Sequence, residues 1–185
     1  FVQPPEAAHD IDSAISQTVE AYTSLSKDKV GALMVFERAN LLDEVIKTGT
    51  ALDCAVSSEL LKNLFWNKAP LHDGAVIVRH GRIVGAGCML PLSGNTNLSR
   101  DLGMRHRAGI GMSEHSDAVV AIVSEETGSI SVAVGGMLKR HLAPETLDRL
   151  LRNELKTDED DGEKKSDLFP LVAALFNRGK KEGTE

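Results

Sequence analysis

Two short polar segments hold the residues of this sequence that are best suited to do chemistry. In the first, His72, Asp73 and Gly74 stand immediately before the apolar run Ala75–Val78, which predicts a polar cluster at the edge of a buried strand. Imidazole and carboxylate together suit Mn, Co or Zn better than Ca. The segment therefore predicts a metal site, with two plainer alternatives: an Asp-Gly turn and an ordinary loop histidine.

The second segment is Arg105-His106-Arg107, three cationic or potentially cationic side chains in a chain of net charge −6. At helical spacing the two guanidinium groups point in different directions and can hold a polyphosphate from two sides. If the segment opens a helix, its backbone N–H groups add to the same anion site. The alternative is a solvated basic turn that pairs with the acidic surface.

A third segment, Ser124-Glu125-Glu126, follows the predicted strand 118–123. It supplies a hydroxyl and two carboxylates that could reach a metal or phosphates. Taken alone, the same residues also fit a polar β-turn.

Length and composition predict one globular domain. The 185 residues are 42% hydrophobic and 26% charged, and no apolar run approaches the ~20 residues needed to span a bilayer. The net charge argues against a broad basic surface for nucleic acid, although a local arginine cluster can still hold a small anion. Cys54 and Cys88 lack a Cys-x-x-Cys spacing, which favours two reduced, buried thiols in a cytosolic protein over a zinc site or a disulfide.

The elements that must position these segments follow from the apolar periodicity, which predicts an α/β fold: a single domain with a mixed central β-sheet flanked by helices. The first nine residues are expected to be loose. Helical spacing predicts helices over 10–25, 59–65, 98–113 and 144–155, and a weaker piece over 41–46. Short apolar runs predict strands over 31–36, 75–78, 83–90, 118–123 and 129–134, the last four as two hairpins. The Gly-rich phosphate loops of dinucleotide-binding and P-loop folds are absent from the sequence.

In this order and spacing, four segments closely resemble the catalytic domain of diadenylate cyclases. They are Leu71-His72-Asp73-Gly74-Ala75, Leu90-Pro91-Leu92-Ser93, Arg105-His106-Arg107-Ala108 and Ser124-Glu125-Glu126-Thr127-Gly128. The resemblance runs from about Gly31 to about Leu155 and is closest to the membrane-anchored CdaA type. It implies an N-terminal segment with a packing helix over 1–30, the catalytic domain over 31–155, and a charged linker and tail over 156–185.

The resemblance also implies an activity: two ATP molecules are joined into cyclic di-AMP with release of pyrophosphate, using Mn, Mg or Co. It implies that Asp73 assists deprotonation of the ribose 3'-hydroxyl and helps hold the metal, with His72 as a second ligand. Arg105 and His106 would be catalytic and would contact phosphates together with Arg107. The remaining positions implied for the site are Gly74, Ala75, Met89, Leu90, Ser124 and Glu125 at the nucleotide, and Glu126 as a catalytic carboxylate.

The implied partners and location follow from the same resemblance. A cyclic product needs two chains face to face, so a homodimer is expected. No nucleic-acid partner is expected, and a regulatory protein partner is compatible with the resemblance. The full-length protein is expected at the cytoplasmic face of the bacterial membrane, anchored by transmembrane helices upstream of Phe1, and this fragment is expected to be soluble. The charge run Lys156–Lys165 is expected to be a solvated linker, and the apolar stretch Leu168–Phe176 a docking or disordered segment.

Two positions depart from the family pattern. Met104 stands where the family usually has threonine, and Met89 where an aromatic residue often precedes the Leu-Pro-Leu stretch. Met104 cannot donate a hydrogen bond to phosphate. Two other functions therefore stay open: a module that senses ATP or cyclic di-AMP without turnover, and a metal-dependent phosphohydrolase in which water is the nucleophile.

Overall fold

One mixed sheet organises the chain in the computed structural model, which describes residues 5–156 and the side chains of residues 10–156. The elements are α1 (Pro5–Asp28), β1 (Ala32–Phe36), α2 (Asp43–Ile46), β2 (Thr50–Ala55), α3 (Ser58–Phe65), β3 (Ala75–Arg79), β4 (Arg82–Cys88), α4 (Met104–His115), β5 (Val119–Val123), β6 (Ile130–Val134), β7 (Met137–Lys139) and α5 (144–156). Within the described residues the sheet has seven strands, in the order β2-β4-β3-β1-β5-β6-β7. Strands β1 and β3 are parallel, and the other neighbouring pairs are antiparallel. The predicted α/β class with a mixed sheet flanked by helices is confirmed.

Both faces of the central strands are covered, which explains why those strands are continuously apolar. In β1, Leu33 and Val35 belong to the core on the α4 side of the sheet. Met34 and Phe36 alternate with them and belong to the core on the opposite side, where α1, α3 and α5 pack. The domain is therefore a three-layer sandwich, with α4 and the short α2 on one face and α1, α3 and α5 on the other.

On the face covered by α1, α3 and α5, a local sequence signal caps α3, and a long-range hydrogen bond attaches α1 to the sheet. The hydroxyl of Ser57 accepts a hydrogen bond from the Leu60 N–H at 3.1 Å and caps α3, as its position before the apolar run predicts. Tyr22 of α1 is fully buried, and its hydroxyl donates to the carbonyl of Ala121 in β5 at 2.7 Å. This bond attaches α1 to the sheet without leaving a buried polar group unpaired.

Several boundaries differ from the sequence prediction. Helix α1 begins at Pro5 instead of residue 10, α4 begins at Met104 instead of residue 98, and β4 ends at Cys88 instead of residue 90. Residues 98–103 form a turn, in which the Ser99 hydroxyl donates to the Asp101 carboxylate and the Leu102 N–H donates to the Ser99 carbonyl. Short polar side chains of this kind compete with helix formation.

Two strands and one cysteine also depart from expectation. Edge strands β2 and β7 were not predicted, because partly exposed strands lack the continuous apolar run of the central ones. Both cysteines are free thiols; Cys88 is buried as predicted, whereas Cys54 in β2 is only partly buried.

Some predictions fall outside the described residues. These are the conformation of residues 1–4 and the linker and tail from residue 157 on, including Leu168–Phe176. The division of the chain into three segments stays a prediction as well. Among the helices of residues 5–156, none combines the length and the hydropathy needed to cross a bilayer.

Candidate functional site

All four segments that carry the family resemblance lie at the same end of the central strands. We term this end of the sheet the site edge. The parallel pairing of Met34 with Val76 brings the N-terminal ends of β1 and β3 to this edge. The antiparallel pairings Ala32 with Val123 and Ala75 with Cys88 bring the C-terminal ends of β5 and β4 to it as well. Side chains at the strand ends therefore meet there, although they are distant in sequence.

The Asp73-Gly74 segment enters β3 through a backbone conformation that requires glycine. Gly74 has φ +96°, and a Cβ at this position would lie 2.7 Å from the Cys88 carbonyl oxygen. Ala75 follows as the fully buried first residue of β3. Asp73 is exposed, and its carboxylate forms no hydrogen bond or ion pair with any other described residue. The carboxylate is therefore available to a ligand at the site edge.

His72 is oriented by the backbone. Its Nδ1 lies 2.7 Å from the carbonyl oxygen of Ala69, so Nδ1 donates this bond and Nε2 is left to face a ligand. A metal-binding histidine is held in the same way, with one ring nitrogen donating to a carbonyl and the other facing the ion. Within residues 10–156 no group of three or more His, Cys, Asp and Glu side chains forms a metal site. His72 and Asp73 supply two ligands and leave the other coordination positions to a ligand and water.

Arg105, His106 and Arg107 lie in the first turn of α4, as predicted if the segment opens a helix. The N-cap residue Gly103 provides no side-chain hydrogen bond to the first turn, so α4 presents uncapped backbone N–H groups. The Arg105 side chain is only 18% exposed, and its Nη1 lies 2.9 Å from the Glu125 carboxylate. Of the alternative, a solvated basic turn that pairs with the acidic surface, Arg105 shows the pairing with an exposed carboxylate but is itself mostly buried.

His106 is the buried member of this turn, with 5% of its surface exposed. Burial, followed by the positive charge of Arg140, lowers the pKa of the His106 imidazole from its usual value of 6.5; the carboxylates of Asp101 and Glu126 act in the opposite direction. The ring is therefore neutral at pH 7. It forms no hydrogen bond to another described residue, so it has capacity for a ligand.

The turn after β5 carries one hydroxyl and two carboxylates, and one of these carboxylates pairs with α4. The Ser124 carbonyl accepts from the Gly128 N–H at 2.8 Å, and the Ser124 hydroxyl accepts from the Thr127 N–H at 3.3 Å. The hydroxyl proton stays free to donate. Glu125 pairs with Arg105, and Glu126 is exposed and close enough to act on the His106 charge. The β-turn interpretation is correct for the local structure, and the turn also reaches the arginine.

The end of β4 is held by contacts that the sequence pattern does not reveal. The Met89 N–H donates to the Thr48 hydroxyl at 2.8 Å, and the same hydroxyl donates to the Val45 carbonyl at 2.6 Å. Met89 is 67% exposed at the rim of the site edge, and Leu90 is partly buried. Thr48 thus fixes the backbone that leads into Leu90, and no short-range motif marks it.

A second connection missed from the sequence lies beside His106. Arg140 follows β7 and lies 2.6 Å from the Asp101 carboxylate, in the turn before α4. This pair holds the start of α4 against the strand end, and it lowers the pKa of Asp101 to about 2. The two residues are distant in sequence, so only the tertiary structure shows that they pair.

Comparison with known proteins identifies similar sequences. The family model described as the nucleotide-binding domain of the DisA bacterial checkpoint controller, DAC, matches residues 19–138. The chain is 44% identical over 155 residues to the cyclic di-AMP synthase CdaA of Bacillus subtilis, covering 82% of this chain and 57% of that protein. It is 44% identical over 142 residues to a diadenylate cyclase of Listeria monocytogenes, covering 76% and 52%. The chain thus spans about half the length of the curated relatives it matches.

Solved structures give the same fold. A double cysteine mutant of DacA from Staphylococcus aureus is 44% identical with a TM-score of 0.75, over 76% of this chain and 94% of that chain. A protein of Bacillus cereus described as a hypothetical membrane spanning protein is 45% identical with a TM-score of 0.67, over 69% and 63%.

Proposed function

Because the chain belongs to the DAC family of nucleotide-binding domains, we propose that it is a diadenylate cyclase, which condenses two ATP molecules into cyclic di-AMP and releases two pyrophosphates. The curated relatives named above are described as a cyclic di-AMP synthase and a diadenylate cyclase. One observation carries the proposal: the exposed, unpaired carboxylate of Asp73 and the first turn of α4 belong to the same edge of the sheet.

The reaction is an in-line displacement at phosphorus. The 3'-oxygen of one ATP attacks the α-phosphorus of the other; the new O–P bond forms as the bond to the β-phosphate oxygen breaks, and pyrophosphate leaves with the bonding electron pair. A second attack in the opposite sense closes the ring. Positioning and charge stabilisation supply most of the catalysis for such a step.

Asp73 is proposed to take the proton of the attacking 3'-hydroxyl. Its exposure and its lack of a partner among the described residues suit a group that must meet the substrate directly. The backbone of Gly74 and Ala75 would lie against the nucleotide, because it directly follows Asp73 in the chain. The main chain at Met89 and Leu90, which Thr48 holds, would meet the adenine.

The phosphates are proposed to bind at the first turn of α4. Arg105 and Arg107 supply positive charge, the uncapped helix start supplies N–H donors, and His106 offers an uncharged donor. Across the site, Ser124 can donate its free hydroxyl proton to a phosphate oxygen. Glu125 would stay paired with Arg105 beside the phosphates, and Glu126 would act beside His106 as a catalytic carboxylate.

A divalent cation, Mn, Mg or Co, fits the donors at Asp73 and His72. The His72 Nε2 lone pair and the unpaired Asp73 carboxylate provide one nitrogen and one oxygen ligand. Such ions are commonly bound by one or two protein groups together with substrate phosphates. When bound, the cation would neutralise charge on the triphosphate.

Turnover is proposed to need a homodimer. Each site edge holds one ATP, and two attacks in opposite senses require two such edges to face each other about a twofold axis. In the full-length protein, we propose that this domain works at the cytoplasmic face of the bacterial membrane; the description of the Bacillus cereus neighbour as membrane spanning supports this location. A regulatory protein partner is compatible with that arrangement.

A binding module without turnover is the second candidate. Met104, the first residue of α4, is 66% exposed and has no hydrogen-bond donor in its side chain, so the helix start lacks one side-chain contact to phosphate. This substitution weakens the phosphate side of the site and leaves Asp73 unaffected.

One assay separates the candidates. The purified chain is incubated with ATP and Mn²⁺, and the products are resolved by chromatography. Cyclic di-AMP is the expected product. ADP or AMP would indicate a phosphohydrolase, and calorimetric binding of ATP with no product would indicate the binding module.

A further inference from the structure

The guanidinium of Arg105 lies directly on the backbone of Gly31, the residue before β1. A Cβ added at Gly31 would lie 2.6 Å from the Arg105 Cζ, 2.7 Å from Nη1 and 2.8 Å from Nε. Each of these distances is shorter than van der Waals contact allows. Gly31 is not among the glycines with a positive φ, so this position needs the missing side chain and not unusual backbone freedom.

We propose that Gly31 is a positioning residue for Arg105, and that its bare backbone forms the seat on which the guanidinium rests. This inference rests on the proposed function and extends it to a residue outside the four polar segments. The Glu125 carboxylate pairs with the Arg105 Nη1 at 2.9 Å, and the Gly31 backbone packs against the guanidinium group. With two surfaces fixed, the remaining N–H donors of Arg105 have few directions open to them.

The strand register places the seat near the Asp73 segment. The register Met34 with Val76, continued back along the parallel strands, brings Gly31 beside the segment that contains Asp73. Neighbouring strands are about 4.8 Å apart. A guanidinium resting on Gly31 is therefore held within reach of a triphosphate that also contacts Asp73.

Filling the seat should move the arginine without unfolding the protein. The atoms that an added Cβ would meet are the far end of a long, flexible side chain, which can swing towards solvent. The Arg105 side chain is 18% exposed in the seat, and we expect this fraction to rise when the seat is filled. The consequence is a misplaced charge and not a damaged core.

The first test compares Gly31→Ala with Gly94→Ala. A Cβ at Gly94 would meet nothing within 4 Å, so this variant controls for the change of residue type. Gly31→Ala is expected to lower kcat/KM for cyclic di-AMP formation on the order of 10- to 100-fold, as small misplacements of binding groups do. Both variants are expected to unfold cooperatively, and Gly94→Ala to keep wild-type activity. Wild-type kcat/KM in Gly31→Ala would overturn the proposal.

A double-mutant cycle tests whether the effect passes through Arg105. ATP affinity is measured by calorimetry for Gly31→Ala, Arg105→Ala and the double variant. If Gly31 acts by seating Arg105, Gly31→Ala has no further effect once Arg105 is truncated. Additive losses of affinity would mean that Gly31 acts by another route, and would overturn the proposal.

A third readout separates this inference from the proposed function. The Nε–Hε signal of Arg105 is followed by NMR and assigned with Arg105→Lys. Gly31→Ala should shift this signal, and Gly94→Ala should not. If the wild-type chain makes no cyclic di-AMP and the signal still shifts, the cyclase proposal fails and the seat stands. If cyclic di-AMP forms and the signal does not move in Gly31→Ala, the seat is wrong.

Discussion

The main-chain N–H of Ser93 donates a 3.0 Å hydrogen bond to the carbonyl of Arg107, which attaches the loop after β4 to the first turns of α4. The Ser93 hydroxyl adds a 2.6 Å bond to Glu114. Gly111 permits this approach, because a Cβ there would lie 2.6 Å from the Ser93 nitrogen and 2.7 Å from the Leu92 carbonyl carbon. The loop that continues from the proposed adenine contact at Leu90 is therefore bonded, as one unit, to the helix proposed to meet phosphates.

Gly111→Ala should separate that unit. The added methyl group meets backbone atoms that cannot rotate away, so we expect a loss of about 1–3 kcal/mol in the free energy of unfolding and a higher KM for ATP. Denaturant titration and steady-state kinetics check the two effects. Gly94→Ala, in open space on the same loop, is the control. An unchanged KM would mean that the attachment of this loop to α4 does not position the main chain at Leu90 for the nucleotide.

Asp73→Asn should remove activity and leave the fold intact. The carboxylate is exposed and unpaired among the described residues, so its loss should change the free energy of unfolding by less than about 0.5 kcal/mol. Loss of a general base typically lowers kcat by about 10²–10⁴-fold. Full turnover in the variant would disprove the role given to this residue.

Charge reversal at Arg105 should raise the ATP concentration needed for turnover without unfolding the chain. Arg105→Glu removes a proposed phosphate contact and places a negative charge beside Glu125. Arg82→Glu is the matched control, because Arg82 begins β4 at the opposite edge of the sheet and pairs with the exposed Asp53. Circular dichroism and the ATP dependence of product formation are measured for both. Unfolding of Arg105→Glu alone would show that this arginine is structural.

The lowered pKa of His106 predicts a stability loss at mildly acidic pH. Since burial and Arg140 depress this pKa below 6.5, the unfolded chain takes up the proton first as the pH falls. The free energy of unfolding should therefore decrease from pH 6.5 down to the folded-state pKa, and be unaffected by this group above pH 6.5. Asp101, whose pKa is lowered from 3.8 to about 2, acts only in a more acidic window.

Urea titrations across this pH range check the effect. In His106→Gln the decrease that begins near pH 6.5 should be smaller than in the wild type. An identical pH profile in the two proteins would assign the dependence to other groups.

The buried carboxylate of Glu37 predicts a stability effect away from the site edge. Its side chain is 1% exposed and is held by Arg79 at 2.6 Å. Arg79→Met leaves this charge buried without its cation, which should cost about 3–5 kcal/mol of unfolding free energy. Arg82→Met, which breaks a solvent-screened, exposed pair, should leave the free energy of unfolding nearly unchanged. A substantially weaker ATP affinity in folded Arg79→Met would contradict its placement outside the site.

The sequence predicts the central part of the sheet well, because strands covered on both faces must be apolar throughout. β1, β3 and β5 are such strands. The edge strands β2 and β7 were missed for the converse reason, since their exposed positions have no reason to be apolar. The start of α4 was placed too early, because a local hydrogen bond between Ser99 and Asp101 favours a turn over a helix.

The residues of the candidate site also fall into a group that the sequence predicts and a group that it does not. Charged residues such as Asp73 and Arg105 stand out in the sequence because the residue type alone shows what chemistry the side chain can do. Gly31 and Gly111 are marked by close approach and Thr48 by a hydrogen bond, and both depend on which segment of the chain lies opposite. No local pattern encodes that neighbour, so these three could be found only in the folded structure.

The pairing of Ala32 with Val123 joins opposite halves of the described chain and gives β1 its second neighbour only after β5 has been synthesised. A ribosome-bound chain that ends before β5 thus lacks the surface on which ATP would dock. Nucleotide would then stabilise finished molecules and not partly folded ones. The amplitude of the ATP-shifted melting transition, and not the size of the shift, would then report the fraction of correctly matured protein in a preparation.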